Sequence, residues 1–273
     1  MIEAILAFFF GLLAGSFLNV CIHRWPRGRS VVKPRSHCVR CRQTIAWYDN
    51  IPLVSYAVLR GRCRHCGKRI SPRYPLVELI TGLLFFYFVF TLGPTPAAIK
   101  MCIFSAILVG LIFCDLEKRI LPDELTVGGA IAGLVFALFV QVPDITAGAL
   151  LWIFGVELGG TLESLAESVC GALLPALILW GGGWVYYKVR HREGLGFGDV
   201  KLIAMVGSFL GLRGALLTLI LGSICGSILG YGYIRATGKD AATYELPFGT
   251  FLGAAGLAAA IAGPRILGWY GGL

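Results

Sequence analysis

Long apolar runs recur along almost the whole of this 273-residue chain, and they constrain its fold more than any other feature. A helix that crosses a bilayer needs about 20 apolar residues, within a range of about 17 to 25. Eight segments come near this length, namely residues 4–21, 76–92, 97–114, 124–142, 168–189, 199–211, 213–234 and 248–268. The sixth is short and could pair with the seventh as a hairpin. The sequence therefore predicts an all-α polytopic membrane protein with about eight transmembrane helices.

Composition agrees with a bilayer as the main solvent. Hydrophobic residues make up 57% of the chain and charged residues only 14%, against about 25% charged residues in soluble domains. Glu3 is the only charged side chain ahead of the first apolar run, so the positive n-region of a cleavable signal peptide is missing. We therefore expect that run to remain as a span. A further apolar piece at 145–156 is too short to span and is expected to be interfacial or re-entrant.

Positive charge is concentrated in one segment. Residues 22–75 hold 13 Lys and Arg but one acid, Asp49, whereas the rest of the chain is slightly acidic. If the N-terminus lies outside and the spans alternate, 21 of the 24 basic residues lie in or beside cytoplasmic loops. This orientation accounts for the net charge of +9 without nucleic acid, which we do not expect as a partner. The lipid bilayer, with its anionic surface, is the expected partner instead.

The basic segment also carries four cysteines in two CxxC pairs, Cys38–Cys41 and Cys63–Cys66. Two such pairs can surround one Zn²⁺ with four thiolates, and this set leaves no open position, so the site would be structural. Two disulfides or free thiols are the alternative, which a reducing cytoplasm disfavours. The sequence thus predicts a cytoplasmic zinc-binding loop domain at 22–75, after a first transmembrane helix at 1–21 and before a membrane core at 76–273.

Two aspartates lie where predicted spans meet the cytoplasm. Asp115 ends the third span, and Asp199 opens the sixth in Gly196-Phe197-Gly198-Asp199. Ionisable groups at membrane depth are costly and often functional, and two carboxylates that share a proton can activate water as in aspartic proteases. The alternative is that Asp199 is a helix N-cap and Asp115 an ordinary interfacial charge. Asp123, after Pro122, is expected to be an N-cap.

Small residues at four-residue spacing, such as Gly11/Gly15 and Gly207/Gly211, predict close helix packing in lipid rather than ligand binding.

Taken together, these blocks resemble one family, the bacterial type 4 prepilin peptidases, which are GxGD membrane aspartic proteases. Beside the CxxC pairs and the aspartates, the resemblance includes further segments in the same order: Gly15–Val20, Asp49–Pro52, Leu59–Cys63, Ser71–Glu78, Leu121–Asp123, Gly196–Lys201 and Pro247–Gly249. It covers nearly the whole chain.

This resemblance implies a bifunctional enzyme of the bacterial inner membrane. Such an enzyme cleaves the basic leader of type IV prepilins or type II secretion pseudopilins after a glycine, and then N-methylates the new N-terminus with S-adenosylmethionine. The catalytic aspartates fall on Asp115 and Asp199, so residues 76–273 form the protease core. Methyltransfer is associated with the loop 22–75, where Gly61 is the candidate residue near the methyl donor.

Two other functions stay open at this point. The chain could be a peptidase alone, with the zinc module as a substrate dock, or a non-enzymatic membrane assembly factor in which zinc holds a partner-binding loop. The Gly-x-Gly-Asp block and the second interfacial aspartate favour an enzyme. The complete cysteine loop favours the bifunctional enzyme, but only through the resemblance.

Overall fold

The structure is a computed structural model, and it describes residues 1–142, 146, 148, 159–191, 195–238 and 246–271. The predicted interfacial piece at 145–156 lies almost wholly outside the described residues. Eight α-helices can be followed in that part: α1 Ile2–Arg24, α2 Val54–Val58, α3 Arg73–Leu92, α4 Pro96–Lys118, α5 Asp123–Ala137, α6 Thr161–Arg190, α7 Phe197–Thr237 and α8 Phe248–Gly271. Two short 3-10 helices occupy Trp25–Arg27 and Trp47–Asn50.

The all-α prediction is confirmed across the described residues, which contain isolated β-bridges but no strand. Five of the helices (α1, α3, α4, α6 and α7) are long and apolar enough to cross a membrane. The predicted count of eight spans is not confirmed, because five helices in the described residues meet the length and hydropathy of a span and α5 has only 15 residues. Helix α7 is two helices joined at Gly211, whose φ of 74° interrupts the helical backbone between the sixth and seventh predicted spans.

The chain divides into two compact units, Met1–Gly110 and Leu111–Leu273. In the first unit α1 packs along α3. Glycines permit this contact, because a Cβ on Gly15 would lie 2.7 Å from the Cα of Glu78 and one on Gly11 would lie 2.8 Å from the Cα of Gly82. The predicted role of the small residues in helix packing is confirmed here.

In the second unit α7 is the central helix, and α5, α6 and α8 pack on it. Its first half is the most enclosed part, with Leu202, Ile203, Met205, Val206 and Phe209 fully buried. Gly207 lies against the backbone of Gly171 on α6, so neither position has room for a side chain. The close packing of α6 on α7 fixes the start of α7, where Asp199 lies.

Candidate active site and metal centre

Asp115 lies in the last turn of α4, in the second unit. Asp115 is only 5% exposed to solvent. After Lys118 the helix ends at Arg119, whose φ of 53° turns the chain, and whose N–H donates to the carbonyl of Asp115 at 2.8 Å. The Asp115 side chain therefore projects from the C-terminal end of α4 and not from the middle of the helix.

Asp199 lies in the first turn of α7 and is 8% exposed. Its N–H donates to the carbonyl of Gly196 at 3.0 Å, so the Gly-x-Gly-Asp block forms the turn that opens the helix. Gly198 packs against Leu121, where a Cβ would lie 3.2 Å from the Cβ of Leu121. The glycine thus allows the loop before α5 to approach the start of α7 closely.

The two aspartates meet beside Gly249, in the first turn of α8. A Cβ built on Gly249 would lie 3.2 Å from the Cγ of Asp115 and 3.2 Å from an Oδ of Asp199. The Cγ of Asp115 and that Oδ of Asp199 are therefore separated by at most twice 3.2 Å. Residues separated by 84 positions in the sequence form one carboxylate pair, and Gly249 lies so close to both carboxyl groups that even a β-carbon would be crowded there.

Thr250 is a site residue that the sequence did not identify. Its backbone N–H donates to Oδ2 of Asp115 at 2.6 Å, and its hydroxyl donates to the same oxygen at 2.8 Å. The only sequence signal was its position directly after Pro247-Phe248-Gly249. Two donors on one oxygen fix the orientation of the Asp115 carboxyl group.

The expected N-cap role of Asp123 is wrong. Asp123 occupies the first position of α5, Pro122 precedes it as the cap residue, and no side-chain cap bond forms. The carboxylate instead pairs with the Lys201 ammonium. This ion pair joins the start of α5 to the first turn of α7, because a charge partner outcompetes an amide for the exposed carboxylate.

The four predicted cysteines come together in the first unit. The Sγ atoms of Cys38, Cys41, Cys63 and Cys66 all lie within 4.8 Å of one another, and those of Cys38 and Cys66 are 3.9 Å apart. Four sulfurs at the usual Zn–S distance of about 2.3 Å would be separated by roughly 3.8 Å in a tetrahedron. The four thiols are unbonded in this arrangement, so the cluster could hold a metal ion.

Each CxxC pair sits in the same kind of turn. The N–H of Arg42 donates to the carbonyl of Cys38, and that of Gly67 donates to the carbonyl of Cys63, both at 2.9 Å. Arg42 and Gly67 both have positive φ, at 60° and 67°. Short β-bridges close the two turns, His37 with Thr44 and Arg62 with Arg69.

Electrostatics favours a thiolate in this cluster. Burial raises the pKa of Cys38, but amide donors of Cys41 and Arg40 and neighbouring thiols outweigh it and lower that pKa to about 7. At Cys41 the Gln43 amide is outweighed by burial and the other three thiols, which raise its pKa to about 11, so the cluster favours one thiolate, at Cys38. A metal-binding cysteine must lose its proton, so a lowered pKa prepares the site for a cation.

An ion pair braces the module. Arg64 in the second turn donates two hydrogen bonds to Asp49, at 2.8 and 2.6 Å. This bidentate contact holds the pKa of Asp49 below its usual value.

Gly61 lies just before the second CxxC turn, with a φ of 65°. A Cβ at this position would be 3.0 Å from the ring and hydroxyl of Tyr56. Its carbonyl also accepts the N–H of Ile70 at 2.7 Å. The positive φ and the close Tyr56 ring are enough to explain why this position is glycine. The expected role of Gly61 near a methyl donor stays a prediction.

Comparisons with known proteins agree with this arrangement. Residues 9–92 match the bacterial peptidase A24 N-terminal domain, and residues 102–231 match the type IV leader peptidase family. The first match contains the cysteine cluster, and the second contains both aspartates. No solved structure gives a significant match.

Several relatives carry the name prepilin leader peptidase/N-methyltransferase. One from Aeromonas hydrophila is 37% identical over 97% of this chain and 92% of its own length, and one from Klebsiella pneumoniae is 39% identical over 79% and 89%. One from Myxococcus xanthus is 41% identical over 86% of this chain, and the matched region covers 64% of that relative's length. The chain belongs to the type IV leader peptidase family.

Proposed function

We propose that this chain is a bifunctional membrane enzyme that removes the basic leader of type IV prepilins or type II secretion pseudopilins after a glycine, and then methylates the new N-terminal amine with S-adenosylmethionine. The observation that carries the proposal is the meeting of Asp115 and Asp199 beside Gly249. The names of the relatives support both activities. The peptidase belongs to Leu111–Leu273 and methyltransfer to the unit with the cysteine cluster.

In cleavage the two carboxyl groups would share one proton. Asp115, whose Oδ2 accepts two hydrogen bonds from Thr250, is the group that stays ionised, because donors stabilise the charged form. Its other oxygen takes a proton from water, and the hydroxide attacks the scissile carbonyl. Asp199 donates its proton to the carbonyl oxygen, which gives a neutral gem-diol. When the C–N bond then breaks, Asp115 gives its proton to the leaving amine, and Asp199 takes one from a gem-diol hydroxyl. General acid–base assistance of this kind supplies about 10² to 10⁴-fold in rate.

Positioning must supply much of the remainder. Asp199 and Thr250 both lie in first turns of helices, where unpaired backbone N–H groups and the helix dipole favour negative charge. Because Gly249 has no side chain, the start of α8 can lie directly against both carboxyl groups, which brings Thr250 to Asp115. The site is thus preorganised for the single negative charge that the carboxyl pair carries and that passes from Asp115 to Asp199 as water attacks.

The cysteine cluster is proposed to hold one structural Zn²⁺ through Cys38, Cys41, Cys63 and Cys66. Four protein ligands leave no place for substrate on the metal. Bound S-adenosylmethionine would supply an electrophilic methyl group. The zinc module would therefore act by folding the loop that receives donor and substrate, since metal binding and folding of so small a module are coupled.

The apolar helices and the family make this a multi-pass inner-membrane protein. We further propose that its N-terminus lies outside and its cysteine loop in the cytoplasm, because 21 of 24 basic residues then lie on or beside the cytoplasmic side. Prepilins would present their basic leaders on that side.

The test is incubation of the purified protein with a prepilin and S-adenosylmethionine, followed by mass spectrometry of the pilin. We expect leader loss together with the mass of one methyl group. Asp115→Asn and Asp199→Asn should each abolish leader loss while the protein still inserts, whereas the exposed neighbour variant Glu124→Gln should cleave normally. Near-normal processing by either aspartate variant at equal expression contradicts the carboxylate pair, and leader loss without methyl gain would leave a peptidase alone.

A further inference from the structure

The first unit contains a cavity of about 430 Å³ between α1 and the loop that carries the first CxxC pair. On α1 its wall includes Leu13, Phe17 and Val20, and on the loop side it includes Trp47 and Asn50. Ligand cavities in proteins typically have about 300 to 1,000 Å³ and combine apolar walls with a few polar groups. This cavity has both properties.

With the cysteine loop at the cytoplasmic surface, as proposed above, the cavity runs from that surface along the apolar helix α1. Arg24 at the end of α1 lines one end and Leu13 the other, and eleven residues of helix span about 16 Å. A methyl transfer between a water-soluble donor and a membrane-anchored peptide requires a site open to both phases. This cavity meets that requirement within one unit of the protein.

The groups at the loop end match the chemistry of S-adenosylmethionine. Trp47 is 75% exposed and makes an edge-to-face contact with the Tyr48 ring at 5.8 Å, so much of its indole surface can stack on an adenine ring. The Asn50 amide can both donate to and accept from a base edge. Arg35 is exposed on the lining and offers a guanidinium to the carboxylate of the donor's amino-acid part.

The loop that forms this wall is held by contacts that do not use those groups. Arg24 is buried, and its guanidinium donates to the carbonyls of Ser30, Val31 and Pro34 at 2.8 to 3.2 Å. The N–H of Ile45 donates to the carbonyl of Ser36 at 2.9 Å across the base of the first CxxC turn, and both residues line the cavity. The zinc module therefore shapes the wall, while Trp47, Asn50 and Arg35 remain available to a ligand.

We infer that this cavity is the binding site for S-adenosylmethionine, with Trp47, Asn50 and Arg35 as its recognition residues, an inference that rests on the proposed methyltransferase function. Gly61 does not line the cavity and acts on the loop's conformation instead. In the reaction the lone pair of the uncharged pilin amine forms the N–C bond, while the C–S bond breaks and its electrons stay on sulfur. The products are S-adenosylhomocysteine and a methylated ammonium, which then loses a proton to water.

The test is calorimetric titration of the full-length, zinc-loaded protein with S-adenosylhomocysteine, with prepilin cleavage and zinc content measured in parallel. Trp47→Ala and Arg35→Ala should each weaken binding about tenfold or more. The matched variants Trp180→Ala and Arg29→Ala change exposed residues of the same types that do not line the cavity, and they should bind like the wild type. All four should keep zinc and leader cleavage.

Three other outcomes overturn the inference. If the wild type binds and methylates but Trp47→Ala and Arg35→Ala bind equally well, the donor site is elsewhere and the proposed function survives. If these variants lose only affinity for phosphatidylglycerol vesicles, the cavity is a lipid site. If the wild type neither binds S-adenosylhomocysteine nor methylates pilin, the proposed methyltransferase function fails together with the inference.

Discussion

The Thr250 hydroxyl and its backbone N–H both donate to Oδ2 of Asp115, and only the hydroxyl can be removed by substitution. We expect Thr250→Val to lower kcat for leader cleavage about tenfold or more, because a hydrogen bond to a charged group is worth roughly 1.5–3 kcal/mol. Thr250→Ser keeps the hydroxyl and should retain most of the activity. Thr237→Val removes an exposed hydroxyl that donates to the carbonyl of Tyr233 within α7, and serves as the control.

Steady-state cleavage of a prepilin peptide measures this effect. A Thr250→Val enzyme with wild-type kcat would show that the amide alone orients Asp115. Equal losses in the Val and Ser variants would instead point to a packing defect.

The close packing of Gly249 against the two aspartates can be tested by adding a single methyl group. A methyl group there would lie 3.2 Å from each aspartate and 3.0 Å from a Leu121 methyl group, which is tighter than ordinary contact. We expect Gly249→Ala to reduce cleavage by roughly tenfold to a hundredfold, since small displacements of catalytic groups have effects of that size. Gly128→Ala adds a methyl group in open space on α5 and should have no effect. Equal activity of both variants would contradict the geometry at Gly249.

These residues also show what sequence could predict. Asp115 and Asp199 were identified because a carboxylate at a membrane boundary is chemically costly and therefore conspicuous. Thr250 is an ordinary residue in a helix start, and its partner lies 135 positions away. Only the packing of α8 beside the end of α4 brings the two together, and no local pattern encodes that contact. Asp123 was misassigned for the same reason, because its partner Lys201 is distant in sequence.

At the scale of elements, the cysteine module should bind about one zinc per chain. Replacing Cys38 and Cys63 by Ser removes one ligand from each turn, so zinc should be lost. Replacing Cys170 and Cys225, which lie outside the cluster, should leave zinc unchanged. Elemental analysis of purified protein measures the content. A wild-type protein without zinc, in which the four cysteines form disulfides, would exclude the structural metal.

Helix positions were largely predictable because apolar runs mark them, whereas helix limits were less so. The break between the sixth and seventh predicted segments falls at Gly211, two residues before Arg213 in an otherwise apolar stretch. The charge marks a boundary in hydropathy, but the positive φ that breaks the helix at Gly211 carries no hydropathy signal. For α5, 15 residues fall short of the length that a bilayer crossing requires, so the predicted span at 124–142 stays a prediction.

For the whole molecule, the division into two units predicts that the two proposed activities separate. Asp115, Asp199 and Thr250 all belong to Leu111–Leu273, while the cysteines and Gly61 belong to Met1–Gly110. Asp115→Asn should therefore still methylate a pre-cleaved pilin supplied with S-adenosylmethionine. Loss of methylation in a folded Asp115→Asn protein would show that the aspartates take part in both reactions.

Gly61 provides the converse test. A lysine there must adopt a φ of 65° and displace the Tyr56 ring, so the loop between α2 and the second CxxC turn should distort. Gly67→Lys is the matched control, because Gly67 has a similar φ of 67° but open space around it. Backbone strain is then common to both variants, and only Gly61→Lys adds the clash. We expect Gly61→Lys to lower methylation at least about tenfold more than cleavage, with Gly67→Lys affected less, as measured by mass spectrometry of one pilin substrate. If Gly61→Lys lost both activities in equal measure, the loop would have to present substrate for cleavage as well, and the two units would share one substrate platform.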